Sequence, residues 1–193
     1  DFLRMGYKAK ASIDASLLAD CGFSGPPIVD DPSLSTRFKT RGLHTEFLVN
    51  QVYTKPYPTC RVGHGALDTL FKWRKENILI PESVKKIKIS LLKRYEYGKN
   101  FIVEKDSYYK IAQYSIAFAA SCAAVYGDLD DLRFDKENIG DTKIHSMLEK
   151  IKVVVDDGLE GVSKYVHGAI KTELWTRDNQ YFTEISDCPR GDP

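Results

Sequence analysis

"GAIKTELWTRDNQYFTEIS", Gly168 to Ser186, decides the fold. Two runs alternate in polarity on either side of Arg177-Asp178-Asn179. Alternation at period two sends successive side chains to opposite faces of a strand. A short polar link ending in Asn joins two such strands back to back. The stretch therefore reads as a β-hairpin, and the sheet it belongs to is at least partly antiparallel. Working outward, "PESVKKIKISLLKR" (Pro81 to Arg94) reads as a turn and then a strand. There Val84, Ile87, Ile89 and Leu91 lie near period two with lysines between them. "KVVVDD" (Lys152 to Asp157) and "EFLVNQVYT" (Glu46 to Thr54) supply two more runs that suit strands.

Between the strands the period changes. Ala11 to Phe23 places Ile13, Leu17 and Leu18 at helical spacing and stops at Gly22. His64 to Asn77 carries a stripe of Ala66, Leu67, Leu70, Phe71 and Arg74. Ser107 to Gly127 is Ala-rich and reads as one long buried helix. With Lys110 and Gln113 inside it, it does not suit a membrane span. "DTKIHSMLEKI" is a short amphipathic helix capped by Asp141. The order is helix, linker, strand, helix, strand, long helix, short helix, strand, hairpin. The expected class is α+β, a largely antiparallel sheet with helices packed on one face in two layers. Residues 1–23 are read as a flank or last helix of another domain, 24–41 as a linker, and 42–193 as a small α+β domain.

The chain has 193 residues, 42% hydrophobic and 28% charged, with a formal net charge of +1. That is enough chain to bury a core without staples. The charge balance gives no reason to expect nucleic acid or a membrane surface as partner. No apolar run reaches the roughly 18 residues that a spanning helix needs. Cys21, Cys60, Cys122 and Cys188 are scattered without a CxxC pair or zinc spacing, so they read as free thiols in a reducing, cytoplasmic setting with no metal. The chain opens without an initiator Met and reads as a piece of a longer polypeptide.

One stretch concentrates chemistry: "KPYPTCRVGHG", Lys55 to Gly65. Lys55 and Arg61 are cations that can hold carboxylates, the arginine through a planar fork. His64 can move a proton near neutral pH. Cys60, beside two cations, is a candidate acid, base or nucleophile. Pro56 and Pro58 keep the chain extended, and Gly63 and Gly65 would let a ligand come close to the backbone. Such a set suits a substrate with several carboxylates, where cations stabilise the charge that develops as a neighbouring proton leaves. Lys55, Cys60 and His64 would then share one exposed rim. The competing reading is a Pro-rich turn into a helix with a buried cysteine.

At this point the chain resembles the MmgE/PrpD family, which carries a recurrent "KPYP-C-R-xxH-xAID" signature. "KPYPTCRVGHGALD" follows it nearly throughout, and "IPESVKKIKI" continues the pattern. "ASLLADCGFSGP" upstream, "AQYSIAFAASCAAVYGDL" downstream and the final "ISDCPRGDP" are similar to further family segments. The family's His-x-Gly in the first helix is here Arg4-Met5-Gly6. The resemblance implies the smaller α+β domain of a two-domain enzyme, its active site completed by a helical domain of the same protein. It implies a cofactor-free lyase or isomerase acting on a di- or tricarboxylate such as 2-methylcitrate, working as a homodimer. Lys55, Cys60 and His64 match the small domain's catalytic contribution, with Lys55 and Arg61 holding substrate. On this reading the fragment alone is inactive. The rival is a non-catalytic carboxylate-binding or protein-interaction domain of the same fold.

Overall fold

The computed structural model describes residues 2–25, 52–99, 101–163 and 168–192. The chain divides into two units, Asp1–Leu48 and Val49–Pro193. In the first, helix α1 (Phe2–Asp20) begins well before Ala11. It ends where Phe23 N–H bonds the Leu18 carbonyl and Gly22 N–H that of Ala19, with Gly22 left-handed at φ +86°. Most of the 24–41 linker and of the expected Glu46 to Thr54 strand lies outside the described residues. Val52, Tyr53 and Thr54, which are described, are not in a strand.

In the second unit, β1 (Val84–Leu91), β2 (Ile151–Val155), β3 (Ile170–Thr176) and β4 (Tyr181–Ser186) form one sheet ordered β2-β1-β3-β4. The hairpin is present: β3 and β4 pair antiparallel, with Leu174 opposite Phe182 and Trp175 opposite Tyr181. β1 runs antiparallel to β3, Ile87 facing Leu174, and parallel to β2, Ile87 facing Ile151. The parallel pair follows from the helices between β1 and β2, which carry the chain back over the sheet. Val84 and Ile87 are three apart, not two, because the register shifts between Val84 and Lys86.

One face of the sheet, with Ile87, Ile89, Leu91 and Leu174, is fully buried in the core. On the other face Lys88 lies opposite Glu173 and pairs with it at 2.8 Å. Tyr181 donates to the same carboxylate at 2.8 Å. Burial works to raise the pKa of Glu173, but the bonds from Lys88 and Tyr181 outweigh it and hold it low.

The helical layer is α2 (His64–Lys75), α3 (Tyr109–Tyr114), α4 (Ile116–Tyr126), α5 (Lys136–Ile139) and α6 (Thr142–Leu148). α4 packs against α2 and α6, and its Ala119, Ala120, Ala123 and Ala124 are all buried. The expected single helix over Ser107 to Gly127 is two. Ser115 is extended (φ −78°, ψ 111°), and its hydroxyl accepts from Phe118 N–H to start α4 afresh. Asp141 caps α6 through Lys143 N–H, as its sequence suggests. Among the described residues no helix is long and apolar enough to cross a membrane.

Candidate functional site

The Lys55 to Gly65 stretch enters α2 without any side-chain cap. Cys60 is extended, Arg61–Gly63 make a single 3-10 turn, and His64 opens the helix. The turn is fixed from the helical layer by one carbonyl. Because Ser115 interrupts the helix, the Gln113 carbonyl has no helical partner further along. It accepts instead from Thr59 Oγ1 at 2.5 Å and from Cys60 N–H at 3.1 Å. The glycines bracketing His64 serve packing. A Cβ on Gly63 would meet Ile116 at 3.2 Å, and one on Gly65 would meet Ser186 Oγ at 2.8 Å. They bring the start of α2 against α4 and β4, where the sequence suggested approach to a ligand.

The residues after β4 clasp the same turn. Thr54 N–H bonds the Gly191 carbonyl at 2.9 Å. Gly191 has φ +90°, and a Cβ there would fall 2.4 Å from the Thr54 carbonyl oxygen, so both conformation and space require glycine. Asp68, one helical turn beyond His64, accepts from Tyr57 Oη at 2.5 Å and from Arg190 N–H at 2.8 Å. Arg190 in turn donates to Tyr57 Oη at 3.1 Å and lies over the Tyr57 ring. Burial first, and then Asp68, push the Tyr57 hydroxyl well above the usual tyrosine range.

Arg61 is the hub. It is 4% exposed. Nη1 donates to the Arg190 carbonyl at 2.8 Å, and Nη2 donates to the Pro189 carbonyl at 3.3 Å and pairs with Asp192. Nη1 also lies 3.1 Å from His64 Nδ1. A guanidinium can only donate, so Nδ1 is the acceptor and the neutral ring carries its proton on Nε2. His64 is fully buried, its ring edge-on to Tyr57 at 5.1 Å, and Nε2 has no well-aligned partner. Burial, then Arg61 and Lys55, bring its pKa down to about 4, outweighing the Thr59 carbonyl and Asp68. At neutral pH the ring is uncharged.

Of the sequence candidates, Lys55 alone is exposed; its Nζ donates to the Thr59 carbonyl at 3.3 Å. Cys60, Arg61 and His64 are buried, so the expected exposed rim holds for Lys55 only. The structure does bring the stretch together, since Lys55 and Arg61 both act on the His64 ring. Tyr57, Asp68, Arg190 and Asp192 went unnoticed in the sequence. Asp68 was within reach, four residues after His64 on the same helical face. Among the described residues no group of His, Cys, Asp and Glu could hold a metal ion.

The MmgE/PrpD C-terminal domain matches residues 57–193. The chain belongs to the MmgE/PrpD family. From Tyr57 to Asp192 the clasp lies inside the matched span, and Lys55 stands just before it. No match was found among curated proteins. Membership in MmgE/PrpD places the chain in a family of the dehydratase and lyase type, and its architecture of a mixed four-stranded sheet under helices is α+β.

Proposed function

We propose that this chain is the small domain of an MmgE/PrpD lyase or isomerase acting on a di- or tricarboxylate, with a helical domain of the same protein completing the site. One observation carries the reading: Lys55 is an exposed cation on a turn whose other polar groups are committed to holding it in place. Thr59 is tied to Gln113, Arg61 to residues 189–192, and Tyr57 to Asp68. A charge presented on a fixed support suits the stabilisation of a carboxylate that gains electron density as its α-proton leaves.

Lys55 holds the substrate carboxylate. Arg61, enclosed among carbonyls and Asp192, builds the wall behind it. His64 is buried and neutral with its Nδ1 occupied by Arg61, so it shapes the turn behind Lys55, and the proton-accepting base comes from the helical domain. Cys60 lines the pocket. After proton abstraction the carbanion expels its hydroxyl group, which takes a proton from the now-protonated base and leaves as water, or the carbanion is reprotonated on the other face. In a decarboxylation, carbon dioxide leaves first and the carbon then takes up a proton. The expected cofactor-free chemistry, homodimer and cytoplasmic setting belong to the same reading.

The test is turnover of the complete protein on 2-methylcitrate, cis-aconitate and iminodisuccinate, beside the 193-residue chain alone. Turnover of one acid by the complete protein and none by the chain is expected. Full activity in the chain alone would refute a divided site. Inactivity of the complete protein on every such acid, with these acids still bound, would favour the carboxylate-binding alternative.

A further inference from the structure

We propose that Asp192 is a positioning residue: by clamping the Arg61 guanidinium it holds the hydrogen bond to His64 Nδ1 and so sets which ring nitrogen carries the proton. The pieces are all buried. Arg61 and Asp192 pair with side chains 4% and 6% exposed. The same guanidinium reaches the carbonyls of Pro189 and Arg190, and its Nη1 is shared between Arg190 O and His64 Nδ1. Buried arginine forks hold their direction through charge-assisted bonds, and here the only carboxylate on the fork is that of Asp192 among the described residues. Remove it and Nη2 keeps only the longer 3.3 Å bond to the Pro189 carbonyl, while Nη1 keeps the Arg190 carbonyl and the Tyr53 ring stays 5.0 Å from the guanidinium, so the Nη2 end can swing and tilt the fork from the His64 ring. The tautomer with the proton on Nδ1 then loses its penalty, because Nδ1 no longer faces a donor.

Asp192 lies far from His64 along the chain, and its carboxylate meets Arg61, and through Arg61 the ring, where Gly191 turns the backbone back against Thr54. The function of the coupling rests on the reading of His64 as part of a carboxylate site. Its existence does not.

Long-range 15N NMR of the His64 ring at pH 7 reads the tautomer directly. In the wild-type chain a single form with the proton on Nε2 is expected. In Asp192→Ala the Nδ1–H form should rise about tenfold relative to Nε2–H, the size set by loss of a charge-assisted contact. Asp192→Glu should restore much of the wild-type signal. If Asp192→Ala does not fold, Asp192→Asn keeps the volume and an acceptor and should shift the ratio in the same direction by less. An unchanged ratio in the folded variant overturns the proposal, as does a wild-type ring protonated on Nδ1. In the complete protein the same variants should lower kcat with little change in KM, whereas loss of bulk structure would lower the amount of active enzyme. A tautomer shift with no turnover in the wild-type complete protein supports the Asp192–His64 coupling and overturns the functional reading alone.

Discussion

Lys55 Nζ donates to the Thr59 carbonyl at 3.3 Å, and the same Thr59 sends its hydroxyl to Gln113 O at 2.5 Å. The exposed cation is thus braced against the helical layer through one residue. If Lys55 holds a substrate carboxylate, Lys55→Ala in the complete protein removes a charge-assisted contact of roughly 1.5–3 kcal/mol. kcat/KM should then fall by about one to two orders of magnitude, measured by steady-state kinetics. Thr59→Ala is not a neutral control, since it deletes the bond to Gln113. Lys85→Ala, an exposed lysine on β1, is the better one and should leave kcat/KM unchanged. Equal kinetics for Lys55→Ala and wild type would remove Lys55 from the site.

The buried His64 ring makes stability depend on pH. Its folded pKa of about 4 lies below the unfolded value of 6.5, so above pH 6.5 both states are neutral and the shift has no effect. As pH falls from 6.5 to 4 the unfolded chain takes up a proton that the folded ring refuses, and stability is lost. Below about 4 the loss levels off at roughly 3 kcal/mol. The groups facing the ring are Arg61, Lys55, Asp68 and the Thr59 carbonyl, the first two opposing its charge. Urea unfolding of the wild type and of His64→Gln at pH 7.5, 6 and 4.5 checks this. The wild type should lose more stability than the variant over this range; parallel curves would mean that the ring is not buried and neutral.

The layered fold was legible in local pattern, because strand and helix periods are written in nearest neighbours. The hairpin, β1 and α2 with its Ala66, Leu67 and Leu70 stripe are read from such periods. The break at Ser115 was not, since small apolar residues on both sides continue the same pattern, and only the cap and the partners of Gln113 O mark it. Within the site, the candidates inside Lys55 to Gly65 could be found because they are adjacent in sequence. What each side chain faces could not. Arg61 looked like a free fork for substrate, yet its partners at Pro189, Arg190 and Asp192 arrive from the far end of the chain, and nothing near Arg61 announces them.

The Tyr57–Asp68–Arg190 contact should be structural before it is anything else. Tyr57→Phe keeps the ring against His64 and Phe71 but removes the hydroxyl that donates to Asp68 and accepts from Arg190. A loss of about 1–2 kcal/mol is expected, seen as a drop of roughly 2–4 °C in Tm per kcal/mol by differential scanning calorimetry. Asp68→Asn should cost at least as much, because Arg190 N–H and Tyr57 Oη both lose a charged acceptor. A Tyr57→Phe protein as stable as wild type would show that the Tyr57 hydroxyl adds nothing to the clasp beyond the Arg61 and Asp68 bonds to residues 189–192.

Asn179 closes the hairpin that decides the fold. It sits at φ +66°, after Arg177 and Asp178, with Thr176 N–H bonded to the Gln180 carbonyl at 3.0 Å. A three-residue link of this kind ends in a left-handed residue, a conformation open to Gly and Asn and costly for a β-branched side chain. Asn179 is exposed, so a substitution there changes backbone energy with little change in packing. Asn179→Gly should stay within about 0.5 kcal/mol of wild type. Asn179→Val should lose about 1–2 kcal/mol, again roughly 2–4 °C in Tm per kcal/mol. The difference between the two isolates the left-handed turn, since neither side chain touches the core. If valine and glycine gave the same Tm, the turn would not hold a left-handed residue at 179. The pairing of Trp175 with Tyr181, which that turn length sets, would then have to be redrawn.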